Sequence, residues 1–278
     1  MPKLSTAQLE EIATKVRKDT LKMLYEAHSG HTAGSLGLVE VFVSLYFSIM
    51  QHDPTNPDWE ERDRLFLSNG HTCPALYTTM AYANYFDKSL LKTYSKLGSK
   101  LQGHPEKSRL PGIEITSGPL GSGLSEAVGY AFAARHDDKR FRNYCITSDA
   151  EHDEGNHWEG VAVASKYSLS NLTVFVDRNN IQIDGFTEDV MPLDPLAEKY
   201  RAFNWNVFEI DGHNFEAIIG AVQNARSEYQ RPTAIICKTI AGKGVSFMEG
   251  RYEWHGKVPN KEELQLALKE LSEKINDK

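Results

Sequence analysis

The 278-residue sequence predicts an α/β fold in which helices cover both faces of a parallel sheet, and two observations support it. The second half of the chain contains four short runs typical of buried strands, at 144–147, 172–177, 205–210 and 233–239. Helical patterns separate these runs, at 156–168, 193–202 and 214–228. Such alternation is typical of parallel strands, whose ligands bind where the strands end. We therefore expect a site just after Thr147, Asp177, Ile210 and Thr239.

The first half of the chain is predicted to be helical. Periodic apolar residues delimit four helices, at about 9–28, 35–50, 74–85 and 118–136. Gly30 is predicted to end the first helix, Pro54 follows the second, and the fourth begins in a glycine-rich turn. The last segment, 259–278, has the pattern of a charged amphipathic helix. We expect one domain over 1–258, followed by this helix or tail.

Composition excludes several classes of function. A net charge of −7 provides no basic excess for tracking phosphates, so we expect no nucleic-acid partner. The N-terminus lacks the apolar core of a signal peptide, and the longest apolar run, 38–50, is too short to cross a membrane. Three widely spaced cysteines suit neither a disulfide framework nor a four-cysteine zinc site. We therefore expect a protein of the reducing cytoplasm.

Two polar residues follow neighbouring predicted strands. Asp149, in SDAEHDEG, comes directly after the strand that ends near Thr147, and Asn179, in VDRNNIQIDG, follows the next strand. Their oxygens can meet on one Mg²⁺ ion, which prefers oxygen ligands and completes its shell with phosphate oxygens. Taken alone, each residue is more commonly an ordinary turn or helix-cap residue, because Asp and Asn favour those positions.

Loop histidines are the second candidate site. Five of the ten histidines lie beside glycine or proline, namely His31, His71, His104, His213 and His255. Histidine suits a polar pocket because its ordinary pKa lies near neutrality, so it can donate or accept a proton. Each one, without context, is more commonly a satisfied surface or core histidine. The turn GPLGSG (118–123) presents backbone amides that favour phosphate, although a plain helix entry has the same pattern.

Nine strings, taken in order, resemble the N-terminal domain of transketolases over roughly 15–258: SGHTAG, LSNGH, GHPE, GPLGSG, SDAEHDEG, RNNIQIDG, DGHN, CKTIAGKG and WHGK. The resemblance implies a thiamine-diphosphate-binding fold whose diphosphate-binding domain covers 1–258. It implies that Asp149, Asn179 and the carbonyl of Ile181 hold Mg²⁺, for which Ca²⁺ or Mn²⁺ can substitute. The family motif is Gly-Asp-Gly, whereas here Ser148 and Ala150 flank Asp149. Both are small, so we expect the site to survive.

The resemblance also implies roles for four of the histidines. His31 and His104 would bind sugar hydroxyls, and His71 would contact the cofactor and the substrate. His255 would contact the cofactor and act in proton transfer or oxyanion stabilisation. Which histidine is the acid or base stays open.

Four further residues are implied to reach the cofactor. Backbone groups of Gly118, Leu120 and Ala150 would contact it in this chain. Glu154 would act at the cofactor site of the neighbouring subunit, and we include it in the catalytic set.

One part of such an enzyme is missing from this sequence. In the family, the cofactor is activated by a carboxylate of a second, pyrimidine-binding domain, which ordinary transketolases carry in the same, longer chain. The resemblance therefore implies a split transketolase, in which a C-terminal subunit supplies that domain within an α2β2 heterotetramer. We expect a natural split subunit rather than a truncated chain.

The implied reaction transfers a two-carbon ketol unit from a ketose phosphate to an aldose phosphate. His104 and His255 favour this reaction over two relatives with the same half, the 1-deoxyxylulose-5-phosphate synthases and the E1 component of 2-oxo-acid dehydrogenases. A non-catalytic cofactor-binding subunit is the third alternative, against which the intact set of histidines argues. The sugars used stay open, because their phosphate-binding residues are expected on the partner.

Overall fold

In the computed structural model, which describes residues 4–276, five strands form one sheet. The strands are β1 (Arg64–Leu67), β2 (Asn143–Ser148), β3 (Leu172–Arg178), β4 (Asn206–Asp211) and β5 (Thr233–Lys238). Their order is β1–β2–β3–β5–β4, and every neighbouring pair is parallel. All five carboxyl ends therefore lie along one edge of the sheet. The predicted α/β fold with a parallel sheet is confirmed.

The helices precede and connect these strands. They are α1 (Thr6–Ala27), α2 (Thr32–Gly37), α3 (Val39–Ser44), α4 (Cys73–Tyr82), α5 (Ser122–His136), α6 (Gly155–Lys166), α7 (Thr187–Val190), α8 (Leu196–Ala202), α9 (Phe215–Arg226) and α10 (Lys261–Asn276). None of the helices within 4–276 is long and apolar enough to cross a membrane. α10 falls in the predicted C-terminal helix, of which residues 277 and 278 lie outside the described residues.

The predicted helix at 35–50 is divided in the structure. α2 starts earlier, at Thr32, and Leu38 (φ −96°, ψ 4°) separates it from α3. The chain then continues as a π-helical turn over Leu45–Ile49. The apolar pattern correctly placed a buried segment here, but it carries no signal for a change in backbone geometry within that segment.

The sequence interpretation did not identify β1. This strand has four residues, RLFL, and a charged segment precedes it, so no alternation of polar and apolar residues marks it. It lies at one edge of the sheet and pairs with β2 alone, from Arg64 opposite Asn143 to Leu67 opposite Ile146. The strand matters for the site because His71 follows its carboxyl end.

β4 is the opposite edge strand, and its prediction as a buried strand is wrong in that respect. It pairs with β5 alone, and its six residues are half-buried or exposed. Burial is confined to Trp205, just before the strand, whose indole N–H donates to the carbonyl of Val161 at 3.0 Å. An apolar run of this length does not distinguish a central strand from an edge strand.

Apolar residues cover both faces of the sheet. Ile146 and Phe175 belong to the core that includes α1, α3, α4 and α9, whereas Cys145 and Val174 belong to the core that includes α5, α6 and α8. Neighbouring strand residues thus point to opposite faces, as the period of a strand requires. α10 packs against α1 in a third cluster.

A buried ion pair joins the N-terminal helices to the carboxyl edge of the sheet. Arg17 of α1 donates to Glu40 of α3 at 2.6 Å, and His213, which follows β4, donates to the same oxygen through Nδ1 at 3.0 Å. His213 Nε2 accepts from the backbone N–H of Ile240, which follows β5. Burial alone would raise the pKa of Glu40, but Arg17 and His213 lower it to about 2.

Replacing Arg17 with Met should lower the free energy of unfolding by about 3–5 kcal/mol, because the Glu40 carboxylate would stay buried without its main partner. The matched control is Lys15→Met, which removes the exposed pair with Glu11 and should cost no more than about 0.5 kcal/mol. Urea unfolding of both variants measures the difference. Equal losses would contradict a structural role for the buried pair.

Candidate functional site

Four loop histidines converge near the carboxyl edge of the sheet. His31 occupies the N-cap position of α2 without a side-chain capping bond, His71 follows β1, and His104 and His255 come from loops. The His31 ring centroid lies 5.3 Å from that of His71, 5.3 Å from that of His255 and 6.0 Å from that of His104, and the rings of His71 and His255 are 5.0 Å apart. We call these four residues the histidine cluster. His213, the fifth loop histidine, is instead bound to Glu40.

The histidine cluster is uncharged near neutral pH. Burial, assisted by neighbouring His255 and His104, lowers the pKa of His31 to about 4. Burial also lowers the pKa of His71 well below its ordinary value and lowers the pKa of His104 and of His255. A neutral imidazole offers one N–H donor and one acceptor nitrogen, so the cluster presents polar groups suited to hydroxyls. Within residues 4–276, the buried Nδ1 of His31 has no hydrogen-bond partner.

Asp149 lies fully buried directly after β2. Its Oδ2 accepts from the backbone N–H of Asn180 at 2.7 Å and from Arg178 at 3.0 Å, and its Oδ1 accepts from the backbone N–H of Ala150 at 2.8 Å. Burial raises the pKa of Asp149, and Arg178 opposes that rise. The Arg178 guanidinium also binds Glu188 of α7 at 2.5 Å, so it ties this short helix to the Asp149 carboxylate. The sequence interpretation gave Arg178 no role.

The other two predicted metal ligands lie beside Asp149. Asn180, which donates to Asp149, stands between Asn179 and Ile181 in the sequence. The three candidate ligands, Asp149, Asn179 and Ile181, therefore lie together, and we call them the polar corner. Asn179 Oδ1 accepts from the backbone N–H of Ile181 at 2.9 Å, and its Nδ2 donates to Asp177 at 2.8 Å. Among the described residues, no group of three or more His, Cys, Asp or Glu side chains could hold a metal. A cation here therefore needs amide and carbonyl oxygens as well.

The residues that flank Asp149 are accommodated without glycine. Neither Ser148 nor Ala150 has a positive φ, so the turn does not require the conformational freedom of glycine at either position. Ala150 begins a single 3₁₀ turn, Ala150–Asp153. The hydroxyl of Ser148 lies 3.3 Å from a carboxylate oxygen of Glu151, so the side chain contributes a contact that glycine lacks.

Glu151 joins three segments of the site, and the sequence interpretation did not assign it a role. Its buried carboxylate accepts from the hydroxyl of Ser68 after β1, from the backbone N–H of Gly121 at 3.1 Å and from the backbone N–H of Ser148 at 2.9 Å. Burial raises the pKa of Glu151 to about 7, and these hydrogen bonds oppose the rise. Glu151 stands inside the string SDAEHDEG, but only the folded chain shows that it faces inward.

The glycine-rich turn lies against the N-terminus of α6. Gly121 has a φ of +82°, and an added Cβ would lie 2.2 Å from Asn156 Oδ1 and 2.8 Å from Glu154 Cβ. An added Cβ at Gly118 would meet no atom within 4 Å, so this backbone is open to a ligand. Leu120 is 37% exposed, and Glu154, the N-cap residue of α6, is exposed. Both side chains are thus accessible to a partner or a cofactor.

A parallel sheet with polar loops and neutral histidines at its carboxyl edge defines an α/β domain built to bind a polar ligand at that edge. Residues 9–275 match the family described as "Transketolase, thiamine diphosphate binding domain". The chain therefore belongs to the transketolase family. The family and the type of enzyme subunit predicted from the sequence are confirmed, and the family description supports thiamine diphosphate as the cofactor.

Relatives of two lengths match the chain. It is 43% identical to the 6-deoxy-6-sulfo-D-fructose transketolase subunit SqwG of Clostridium sp. (strain MSTE9), covering 95% of this chain and 96% of that one. It is 39% identical to an apulose-4-phosphate transketolase subunit of Phocaeicola vulgatus, covering 96% and 95%. The crystal structure of transketolase from Campylobacter jejuni superposes with a TM-score of 0.91 at 33% identity, over 97% of this chain and 43% of that chain.

Replacing Glu151 with Gln should lower the free energy of unfolding by about 1–3 kcal/mol, because an amide nitrogen cannot accept the hydrogen bonds that a carboxylate oxygen accepts. Glu159→Gln, at an exposed position of α6, is the matched control and should change stability by less than about 0.5 kcal/mol. Urea unfolding compares the two. A neutral Glu151→Gln variant would show that this carboxylate does not hold the three segments together.

An NMR titration of the His31 ring should show no midpoint between pH 5 and pH 8, because burial lowers its pKa to about 4. An unfolded histidine has a pKa of about 6.5, so protonation of His31 favours unfolding. The contribution of His31 to stability should therefore fall as the pH drops from about 6.5 toward 4. The urea-unfolded chain is the reference, and a midpoint near 6.5 for His31 in the folded chain would contradict the account.

Proposed function

We propose that this chain is the N-terminal subunit of a two-chain transketolase, which transfers a two-carbon ketol unit from a ketose phosphate, or a similarly anionic ketose, to an aldose phosphate. The observation that carries the proposal is the convergence of the histidine cluster, Asp149 and Asn179 near one edge of the sheet. The names of the two relatives, which are transketolase subunits for a sulfofructose and for apulose phosphate, support an anionic sugar.

The donor chemistry of the polar corner fits a magnesium diphosphate. Asp149 Oδ1 and Asn179 Oδ1 each accept one hydrogen bond within the described residues, which leaves each oxygen a lone pair for a cation. With the carbonyl of Ile181 they would supply the oxygen ligands that Mg²⁺, or Ca²⁺ or Mn²⁺ in its place, requires. Open backbone at Gly118, with Leu120 and Ala150, would lie along the cofactor.

The histidine cluster would bind the sugar and handle its protons. Thiamine diphosphate, when bound, supplies the carbanion chemistry, so the protein has to orient the sugar and move protons. His31 and His104 are neutral and can hydrogen-bond hydroxyls, and His71 would contact the cofactor and the substrate. His255, 5.0 Å from His71 between ring centroids, would transfer a proton or stabilise an oxyanion.

A partner subunit would complete the site. The chain spans nearly the full length of relatives named as transketolase subunits but 43% of the Campylobacter jejuni transketolase chain. We propose a C-terminal subunit that carries the pyrimidine-binding domain, in an α2β2 heterotetramer, with exposed Glu154 directed at the neighbouring cofactor site. Residues 1–258 would be the diphosphate-binding domain, and 259–278 a helix packed on it. Three free, buried cysteines support a cytoplasmic location.

Two alternatives are less well supported. The relatives named above are transketolase subunits rather than deoxyxylulose-phosphate synthases or 2-oxo-acid dehydrogenase components. A non-catalytic subunit would have no need for four histidines each of whose rings lies 5.0–6.0 Å from at least one other ring of the cluster.

Isothermal titration calorimetry should detect Mg²⁺-dependent binding of thiamine diphosphate to the chain, alone or mixed with its partner. Asp149→Asn should weaken binding by at least about 100-fold, or about 2.7 kcal/mol, because it removes the only charged ligand of the proposed set. Asp153→Asn, an exposed acid four residues further on, is the matched control and should bind like the unmodified chain. The proposal would be wrong if thiamine diphosphate did not bind under either condition.

A further inference from the structure

Three buried polar side chains lie outside the histidine cluster, behind the turn that carries Asp149. His152 belongs to the turn Ala150–Asp153, His157 to the first turn of α6 and Tyr200 to α8. All three are buried, and the two imidazole centroids are 3.9 Å apart. The Tyr200 hydroxyl lies 2.9 Å from Nε2 of His152 and 2.9 Å from Nε2 of His157. The proposed reaction uses none of them.

His152 has one hydrogen arrangement that satisfies its neighbours. Its Nδ1 lies 2.9 Å from the carbonyl oxygen of Ser148 and 3.0 Å from that of Asp149. Carbonyl oxygens only accept hydrogen bonds, so Nδ1 carries the hydrogen. His152 is buried, and among the described residues its ring nitrogens contact two carbonyls and a hydroxyl but no carboxylate, so a second ring hydrogen would leave an unpaired buried charge. Nε2 therefore carries no hydrogen and accepts from the Tyr200 hydroxyl.

The hydrogen bond from Tyr200 to His152 also fixes which group donates to Tyr200. Its hydroxyl has a single hydrogen, which points to His152, so its oxygen can only accept from His157 Nε2. His157 is fully buried and its ring nitrogens contact no carboxylate among the described residues, so this ring is also neutral and its Nδ1 is an acceptor. Within residues 4–276 that Nδ1 has no partner, so the series of hydrogen bonds begins at His157.

We infer that His157, Tyr200 and His152 form a one-way hydrogen-bond chain that positions the backbone on both sides of Asp149. This hydrogen-bond chain ends on the carbonyls of Ser148 and Asp149. It therefore sets the orientation of the peptide groups that aim the Asp149 carboxylate. The inference rests on the proposed role of Asp149 as a metal ligand. The three side chains are positioning residues, because they act through that turn.

Burial of these groups argues against a role in packing alone. Tyr200 lies in an apolar cluster that includes Leu196 and Trp205, where apolar side chains could fill the same space. Burying polar groups costs stability unless each is hydrogen-bonded, and one acceptor here has no partner among the described residues. A fixed orientation of the Asp149 turn is what the polar chain provides and apolar packing would not.

Two substitutions at His152 separate positioning from packing. His152→Asn keeps an amide N–H near the position of Nδ1, because both nitrogens are bonded to Cγ, whereas His152→Gln places its amide near Nε2. We expect the Asn variant to bind thiamine diphosphate with Mg²⁺ within about threefold of the unmodified chain, and the Gln variant to bind about 10–100-fold more weakly. Packing predicts the opposite order, because Gln fills more of the volume. Calorimetry on the full chain measures both affinities.

The hydrogen positions can be read without any ligand. In the chain labelled with ¹⁵N-histidine, NMR at neutral pH should show His152 as the Nδ1–H tautomer and His157 as the Nε2–H tautomer.

Tyr200→Phe removes one oxygen, so the variant should fold. It should weaken cofactor binding by about 3–10-fold because His152 loses its donor.

The outcomes are distinct. Tighter binding by the Asn than by the Gln variant, with the stated tautomers, supports the inference. Equal affinities of the two variants, or the reverse tautomers, would overturn it. Absence of binding by the unmodified chain would count against the proposed function instead, and the tautomers alone would then decide whether the one-way chain exists.

Discussion

The geometry of the site depends on the hydrogen bonds that the buried carboxylate of Glu151 accepts. It accepts hydrogen bonds from the segment after β1, from the glycine-rich turn and from the end of β2. These segments carry His71, the open backbone at Gly118 and Asp149, respectively. Because the strands are parallel, their ends already lie along one edge, and Glu151 sets the relative positions of the loops that leave it. Three residues of the turn after β2 thus have complementary roles: Asp149 faces the proposed cation, and Glu151 and His152 hold the backbone.

The charges at the site are compatible with the proposed anionic cofactor and its cation. The histidine cluster is neutral because burial lowers each pKa, so it adds donors and acceptors without adding charge. Beside Asn179 and Ile181, Arg178 balances the negative charge of Asp149. Electrostatic interactions are stronger in such partly buried surroundings than in water, so a cation and a diphosphate bound there would contribute more than on an exposed surface.

The sequence predicted those structural elements that a pattern within one continuous segment identifies. The residues on either side are enough to predict the strands β2, β3, β4 and β5, the helices between them and the histidine cluster. The short strand β1 was not predicted, because its evidence is a pairing with β2 that lies about eighty residues away in the sequence. Glu151 and Arg178 were missed for the same reason: nothing in their own segments shows that one faces Ser68 and the other Asp149.

We propose that this chain holds the diphosphate and metal end of the site, while a second chain supplies the activating end. The most direct test purifies this chain and a candidate partner bearing a pyrimidine-binding domain, then measures transfer of a two-carbon unit from a ketose phosphate. We expect no turnover from either chain alone, and turnover that depends on Mg²⁺ and thiamine diphosphate when the two are mixed. Turnover by this chain alone would show that the site needs no second chain.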